Sequence, residues 1–159
     1  ASVESPPQRG EILRFAAGFT VINDSYNSNP DALLSMVQTL VDGSEGAKRR
    51  VVVAGEMLEL GDDAPRLHIE TGEKIAASDV DILIGVRGLG RQLVDGAKEA
   101  GLTNAIFAED SDAAGRLLAD EIKQGDVVLV KGSRGVRTEK VIEQLLDKFE
   151  LEDKKSAAN

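Results

Sequence analysis

Short apolar runs alternate along this chain with longer segments in which apolar residues recur every three or four positions. Uninterrupted apolar runs are typical of strands buried on both faces of a parallel sheet, and the longer spacing is typical of helices with one buried face. The alternation predicts a doubly wound α/β fold with right-handed crossovers. The predicted strands cover residues 51–54, 82–84, 105–107 and 127–130. The predicted helices have apolar faces at Leu33, Val37 and Leu40, at Leu89, Leu93 and Ala97, at Leu117, Leu118 and Ile122, and at Val141, Leu145 and Phe149, and a less amphipathic helix covers residues 65–77.

The start of the chain departs from this alternation. Apolar segments at residues 11–15 and 19–22 are separated only by Ala-Ala-Gly, which predicts a hairpin and one antiparallel strand at a sheet edge. The sheet would then be mainly parallel, with about six strands. A chain of 159 residues suits one domain. We expect that domain to span residues 9–151, after a linker remnant at 1–8 and before a frayed tail at 152–159.

Composition restricts the partners and the chemistry. The formal net charge of −9 disfavours nucleic acid and anionic membranes as partners, because both require a basic face. The absence of Cys and the presence of a single His exclude thiolate and multi-histidine metal sites, and they suit a reducing compartment. No apolar run is long enough to span a membrane, and residues 1–8 lack the pattern of a signal peptide. We therefore expect a cytoplasmic protein without membrane insertion.

The joint between the strand at 20–22 and the first helix is the most informative segment. The strand leads into Asp24 and a polar loop, and Pro30 has the fixed φ of a first helical residue. Asn29 can cap the helix, and Asp31 is favourable in the dipole of its first turn. Loops at the carboxyl ends of strands bind ligands in open α/β sheets, so this loop is a candidate site. The alternative is a well-capped turn without a ligand.

A second polar cluster, at residues 55–61, also follows a predicted strand. Two glycines flank Glu56 and Glu59, and Met57 and Leu58 between these acids are expected to be exposed. The carboxyl ends of parallel strands meet at one sheet edge, so this cluster should lie near the first. The alternative is a flexible acidic loop without a function.

A third cluster joins the strand at 127–130 to the last helix. Lys131, Ser133 and Arg134 provide two cations and a hydroxyl, and glycines make the backbone flexible. This combination at a helix N-terminus suits an anion or a carboxylate. The alternative is that the two cations pair with nearby acids.

Three further signals are weaker. Residues 85–90 are glycine-rich but lack the order and position of a dinucleotide-binding fingerprint, so we interpret them as a turn. His68 is interpreted as a surface or hydrogen-bonded structural histidine. The chain contains no G-x-x-x-x-G-K-[ST] loop, the usual cradle for the phosphates of ATP.

Four motifs follow one another along the chain. They are Arg-Gly at 9–10, Asp-Ser-Tyr-Asn-Ser-Asn-Pro at 24–30, Gly-Glu-Met-Leu-Glu-Leu-Gly at 55–61 with His68 after it, and Lys-Gly-Ser-Arg at 131–134. Together they resemble the C-terminal domain of the Mur ligases, in the branch that adds D-alanyl-D-alanine to UDP-N-acetylmuramoyl-tripeptide. The resemblance covers nearly the whole chain. Val136 and Thr138 stand where this family often has Met, and we interpret them as variation on a helix face.

The resemblance implies roles for particular residues. Arg9 would reach the nucleotide phosphates from an interdomain hinge, and Asp24 would bind the ribose hydroxyls of the nucleotide. Asn27 and Asn29 would line the adenine. The other implied residues would face the dipeptide, the acyl phosphate or the closing domain: Ser25, Tyr26, Glu56, Met57, Glu59, Lys131, Ser133 and Arg134.

The resemblance also implies the reaction and its partners. The reaction would be ATP-dependent amide formation through an acyl phosphate, with UDP-N-acetylmuramoyl-tripeptide as the acid and D-alanyl-D-alanine as the amine. ATP and Mg²⁺ would be held mainly by a central ATPase domain of the same polypeptide, which would be the partner of this domain. The chain by itself is therefore expected to be inactive.

Two other classes of protein remain open on the residues. A receiver-like regulatory module has the same fold, with acids after its first strand and a Lys after its last, as Asp24 and Lys131 are placed here. Residues 85–86 are Gly-Val, however, where a receiver needs a phospho-acceptor Asp. The second class is the nucleotide-binding domain of an oxidoreductase, which the missing fingerprint disfavours, or of another ligase such as folylpolyglutamate synthetase.

Overall fold

The computed structural model describes residues 11–25 and 28–152, which contain six strands, five α-helices and one turn of 3-10 helix (Gly61–Asp63). The strands are β1 (Glu11–Arg14), β2 (Thr20–Asp24), β3 (Arg49–Gly55), β4 (Ile82–Val86), β5 (Ala105–Ala108) and β6 (Asp126–Lys131). The helices are α1 (Pro30–Gly43), α2 (Ala64–Ala76), α3 (Gly90–Glu99), α4 (Ser111–Glu121) and α5 (Glu139–Lys148). Each predicted strand and helix is present, and the less amphipathic helix predicted at residues 65–77 is α2.

The strands form one sheet in the order β1-β2-β6-β3-β4-β5. β1 and β2 are antiparallel, and every other pair of neighbours in this sheet is parallel. The prediction of a mainly parallel sheet with an antiparallel edge hairpin is confirmed. β6 comes last in the chain but lies between β2 and β3, so the carboxyl ends of these three strands lie side by side.

Helices cover both faces of the sheet because alternate strand residues point to opposite sides. On β3, Val51 and Val53 pack into the cluster formed with α4 and α5, whereas Val52 and Ala54 pack against α1, α2 and α3. All four residues are completely buried. Burial on both faces explains why this strand reads as an uninterrupted apolar run. Among the described helices, none has the length and apolar character needed to cross a membrane.

Aromatic contacts attach the hairpin to the end of the described chain. The ring of Phe15 stacks on Phe19 at 4.5 Å between centroids, and Phe149 meets Phe19 edge-on at 5.0 Å. The backbone N–H of Glu152 donates to the carbonyl of Arg14 at 2.8 Å. The predicted linker at 1–8 and the predicted tail, apart from Glu152, lie outside the described residues.

Candidate functional site

A buried ion pair joins the carboxyl ends of β2 and β6. Asp24 and Lys131 are register partners on these neighbouring parallel strands, and Lys131 Nζ lies 3.0 Å from Asp24 Oδ2. Both side chains are at most 5% exposed. Taking two charges out of water is costly unless they meet with good geometry, which this pair does. The pair fixes the orientation of the Asp24 carboxylate at the edge of the sheet.

The second oxygen of that carboxylate has no hydrogen-bond partner among the described residues. The same is true of three other buried side-chain atoms, Ser28 Oγ, Ser133 Oγ and Thr138 Oγ1. All four atoms belong to the end of β2 or to the loops that follow β2 and β6. Buried polar groups are nearly always paired, and an unpaired one costs about 1–3 kcal/mol. A cluster of them at the carboxyl edge of the sheet indicates a place where a ligand with hydroxyl or amide groups can bind.

Another buried carboxylate, Asp126, lies at the opposite, amino end of β6, and this one is fully paired. Arg49 donates to Asp126 through Nε at 2.9 Å and Nη2 at 2.7 Å, and the N–H of Lys123 donates to Asp126 Oδ2 at 2.8 Å. The hydrogen bonds that Arg49 donates to Asp126 raise the pKa of Arg49 above its ordinary value, although partial burial opposes this. Asp126 therefore stabilises the fold with both of its oxygens. Of these two buried carboxylates, only that of Asp24 has an oxygen without a hydrogen-bond partner among the described residues.

The loop after β2 ends in the predicted helix cap. Asn29 Oδ1 accepts from the N–H of Ala32 at 2.8 Å, and Pro30 is the first residue of α1. Ser25 Oγ donates to Asn23 Oδ1 at 2.8 Å. The exposed Asn29 thus uses its carbonyl oxygen for the helix and keeps only its amide nitrogen for a ligand. Arg9, Tyr26 and Asn27 lie outside the described residues.

In the loop after β3, Glu56 is turned toward the neighbouring loop after β4. Its carboxylate accepts from the N–H of Leu89 at 3.2 Å and lies 3.4 Å from Arg87 Nε. A Cβ on Gly88 would overlap this carboxylate, so the close approach requires glycine there. Glu59 is exposed and has a left-handed backbone, with φ of 62°. Of the two acids, Glu59 is the one that faces solvent.

The expectation that Met57 is exposed is wrong. Met57 is 1% exposed and packs in the core with α1, α2 and α3, and Leu58 is half-buried. The backbone N–H of Met57 donates to His68 Nε2 at 2.9 Å, and His68 Nδ1 lies 2.7 Å from the carbonyl of Ala64. His68 must therefore be neutral and carry its proton on Nδ1. It is completely buried, which confirms the interpretation as a hydrogen-bonded structural histidine, and burial lowers the pKa of its imidazole.

The loop after β6 packs across the ends of two strands. A Cβ on Gly132 would lie 2.5 Å from Thr138 Oγ1, and one on Gly55 would lie 2.9 Å from Val136 Cγ1. Val136 and Thr138 are buried and precede α5, so their interpretation as variation on a helix face is wrong. Ser133 is buried in this loop, and Arg134 is exposed at its tip.

Sequence reasoning did not single out two residues that lie at this edge. Arg87 Nη1 donates to the carbonyl of Gly135 at 2.6 Å and so links the loops after β4 and β6. Arg87 and Arg137 both have left-handed backbones, with φ of 69° and 60°. Non-glycine residues seldom adopt this conformation outside turns or strained functional loops. The turn predicted at residues 85–90 is present between β4 and α3, but its glycine pattern drew attention away from the arginine within it.

The fold and the site together define an open α/β domain with a candidate ligand site at the carboxyl ends of β2, β3 and β6. Residues 8–134 match the family model described as Mur ligase, glutamate ligase domain. The chain belongs to this family. Membership removes the receiver-like module as an alternative.

The relatives in this family point to one branch. The chain is 36% identical over 155 residues to the UDP-N-acetylmuramoyl-tripeptide–D-alanyl-D-alanine ligase of Mycobacterium tuberculosis, covering 84% of this chain and 30% of that protein. It is 31% identical over 146 residues to the ligase of the same name from Escherichia coli, covering 91% of this chain and 31% of that protein. This chain thus spans about a third of the length of these relatives.

Solved structures agree with this placement. The MurF ligase from Thermotoga maritima in complex with ADP has a TM-score of 0.76 at 26% identity, covering 93% of this chain and 32% of that one. MurF from Acinetobacter baumannii has a TM-score of 0.80 at 25% identity, covering 91% and 32%. The fold of this chain is therefore the fold of one part of a MurF ligase.

Proposed function

We propose that this chain is the C-terminal part of an ATP-dependent ligase that joins D-alanyl-D-alanine to UDP-N-acetylmuramoyl-tripeptide in the cytoplasm. Family membership and the names of its relatives support the reaction class. The observation that carries the site is the buried Asp24–Lys131 pair with an unpaired carboxylate oxygen and three unpaired hydroxyls around it. Such a surface can complete a nucleotide site formed mainly elsewhere in the same polypeptide.

The residues present suit the hydroxyl side of a nucleotide. A carboxylate oxygen held by Lys131 can accept a hydrogen bond from a ribose hydroxyl, and a buried acceptor gains more from that bond than an exposed one. The ADP complex of a related MurF ligase supports a nucleotide in this family. Arg9 would contact its phosphates, and Asn27 and the free amide nitrogen of Asn29 would contact its base.

In this proposal Mg²⁺ is bound mainly by another part of the polypeptide. Among the described residues there is no group of three or more His, Cys, Asp or Glu side chains placed to hold a metal ion. Asp24 is already bound to Lys131. By analogy with the family, Mg²⁺ and the ATP phosphates would be held mainly by the central domain of the full-length protein, which is the proposed partner of this surface.

The remaining edge residues would serve the two peptide substrates. ATP would supply the phosphoryl group that activates the carboxylate of the tripeptide, and the amine of the dipeptide would then displace phosphate. Lys131 and the exposed Arg134 would provide positive charge near the departing phosphate. Ser133 and Glu59 would contact the peptides, whereas Glu56 and Met57 would shape the loop from within.

Phosphate release by the full-length protein tests this function. We expect release to require ATP, UDP-N-acetylmuramoyl-tripeptide and D-alanyl-D-alanine together, and to fall to background when L-alanyl-L-alanine or D-glutamate replaces the dipeptide. Mass spectrometry should show the pentapeptide product. Release that is equally fast with a different amine, or that yields no pentapeptide, would disprove the proposed substrate.

A further inference from the structure

His68 is a buried polar side chain that the proposed reaction does not use. Its Nε2 accepts from the N–H of Met57 at 2.9 Å, and its Nδ1 donates to the carbonyl of Ala64 at 2.7 Å. The first partner belongs to the acidic loop after β3, and the second belongs to the same helix as His68, α2. An apolar side chain could fill the core at this position without the cost of burying two ring nitrogens. The imidazole is needed because the N–H of Met57 is a buried donor that requires an acceptor.

Three consecutive residues of the loop after β3 are held by three different parts of the fold. The Glu56 carboxylate accepts from the N–H of Leu89, just before α3, at 3.2 Å. Met57 points into the core and is bound to α2 through His68. Leu58 lies against the loop after β6, where a Cβ on Gly135 would be 2.6 Å from Leu58 Cδ1. Of these three attachments, the one at Met57 lies in the middle and depends on one side-chain nitrogen.

Glu59 is the residue that this turn presents to solvent. It is exposed, and its φ of 62° is a left-handed conformation that non-glycine residues seldom adopt. Such a conformation costs about 1–3 kcal/mol and persists only where the surrounding structure holds it. The anchor at Met57 is two residues before Glu59 and therefore sets the direction of its carboxylate at the carboxyl edge of the sheet.

We propose that His68 is a positioning residue of the ligase reaction, because its hydrogen bond to Met57 fixes the turn that presents Glu59 to the peptide substrates. This inference rests on the proposed function and adds the residue that holds the acidic loop in place. His68 acts from the interior of the domain and touches no substrate. Without an acceptor, the N–H of Met57 has to reach water, and the loop moves with it. The Asp24–Lys131 pair belongs to β2 and β6, so the nucleotide side should keep its geometry.

Two substitutions at position 68 separate the hydrogen bond from the filling of the core. His68→Gln keeps an acceptor for Met57 in its amide oxygen, whereas His68→Leu fills the space without one. In the full-length protein, His68→Leu should raise KM for at least one of the two peptide substrates by about tenfold or more. KM for ATP, measured at saturating peptides, should stay within about twofold, because the nucleotide side is unchanged. His68→Gln should restore the peptide KM to within about threefold of the wild type.

Ile75→Ala is the control for a loss of stability alone. Ile75 is completely buried on the same helix and packs in the same apolar cluster as Met57. Its truncation leaves a cavity but removes no acceptor from the loop. At a temperature where all variants are folded, Ile75→Ala should leave every KM within about twofold. An unchanged peptide KM in His68→Leu, an equal rise in Ile75→Ala, or no recovery in His68→Gln would each overturn the inference.

Hydrogen exchange follows the loop without depending on turnover. Amides of residues 55–61 should exchange faster in His68→Leu than in the wild type or in His68→Gln, and Ile75→Ala should not show this local change. If the wild-type protein makes the pentapeptide but neither loop exchange nor peptide KM changes in His68→Leu, the proposed function holds and the role of His68 fails. If the wild-type protein makes no pentapeptide, the proposed function fails, and faster exchange in His68→Leu would then identify His68 as a structural anchor only.

Discussion

His68 Nε2 accepts a hydrogen bond from the backbone N–H of Met57 at 2.9 Å, across eleven positions of sequence. His68 Nδ1 is at the same time 2.7 Å from the carbonyl of Ala64 in the first turn of α2. One neutral imidazole therefore joins the acidic loop after β3 to the helix that follows it. Protonation of Nε2 removes its lone pair and with it the only anchor that the described residues provide for the N–H of Met57.

We expect this histidine to make stability fall as the solution becomes acidic. The pKa of His68 is lowered in the folded state, so the unfolded chain takes up the proton first. The contribution is fully present above the unfolded pKa of about 6.5 and is lost as the pH falls toward the folded pKa. The midpoint of thermal unfolding should therefore drop between about pH 7 and about pH 5.

The control for that prediction is His68→Gln, whose amide oxygen can accept from Met57 but does not titrate. Carboxylates also titrate in acid, and they are the same in both proteins. The wild-type chain should lose more stability than His68→Gln over this pH range. Parallel pH profiles for the two proteins would contradict the role assigned to His68.

Asp24→Asn should impair both stability and activity. The substitution leaves the buried ammonium of Lys131 without its carboxylate, and breaking a buried ion pair typically costs ~3–5 kcal/mol. In the full-length protein the same change should lower kcat/KM for ATP by at least ~10-fold, because the proposed charged acceptor for the nucleotide is lost.

Asp126→Asn separates the two effects. Asp126 is equally buried and paired with Arg49, but it lies at the amino end of β6, away from Asp24. The substitution should lower the unfolding free energy to a similar extent. It should leave kcat/KM for ATP within about twofold at a temperature where the protein is folded. A similar loss of kcat/KM in both variants would show that Asp24 acts only through stability.

Gly132→Ala should destabilise the domain through a specific collision. The added methyl group would meet the side chain of Thr138, which is completely buried and cannot move into solvent. Overpacking of this kind costs about 1–3 kcal/mol. Gly46→Ala is the control because no atom lies within 4 Å of its Cβ position. Urea unfolding measures both, and the double variant Gly132→Ala/Thr138→Ala should recover part of the loss.

The chain alone should fold but neither hydrolyse ATP nor form an amide. Its two apolar clusters are complete on both sides of the sheet, whereas its sequence contains no phosphate-binding loop. Catalysis by positioning requires both sides of a cleft. Tyr26 is the only Tyr, and there is no Trp, so tyrosine fluorescence reports on the loop after β2. Tight ATP binding by this signal, together with phosphate release, would contradict the prediction.

Hydrophobic periodicity predicted the elements of this fold but not how the loops pack. Strands such as β3 are apolar throughout because both of their faces are covered, and that cause is visible in the sequence. The burial of Met57 is not visible, because the residue stands between acids and is drawn inward by His68 on the next helix. The same limit applies to Thr138, whose environment is set by Gly132 in its own loop and by Gly55 at the end of β3, which is distant in sequence.

The residues of the candidate site could also be predicted only in part from the sequence. Asp24 and Lys131 could be singled out because each ends an apolar strand, but their pairing depends on β6 lying beside β2. Arg87 and Arg137 were not singled out. Their proximity depends on the loops after β4 and β6, which meet only after the sheet is assembled, and no local pattern marks it.

The position of β6 in the sheet has a consequence for synthesis of the chain. In the described sheet, β2 reaches β3 only through β6, and β6 is the last strand to leave the ribosome. Until then the early hairpin and the β3-β4-β5 unit each present an unpaired strand edge, which favours pairing with other chains. A chain that stops before residue 126 would keep both edges open and lack Lys131. Completion of the proposed nucleotide site and protection against aggregation therefore occur in the same step of folding.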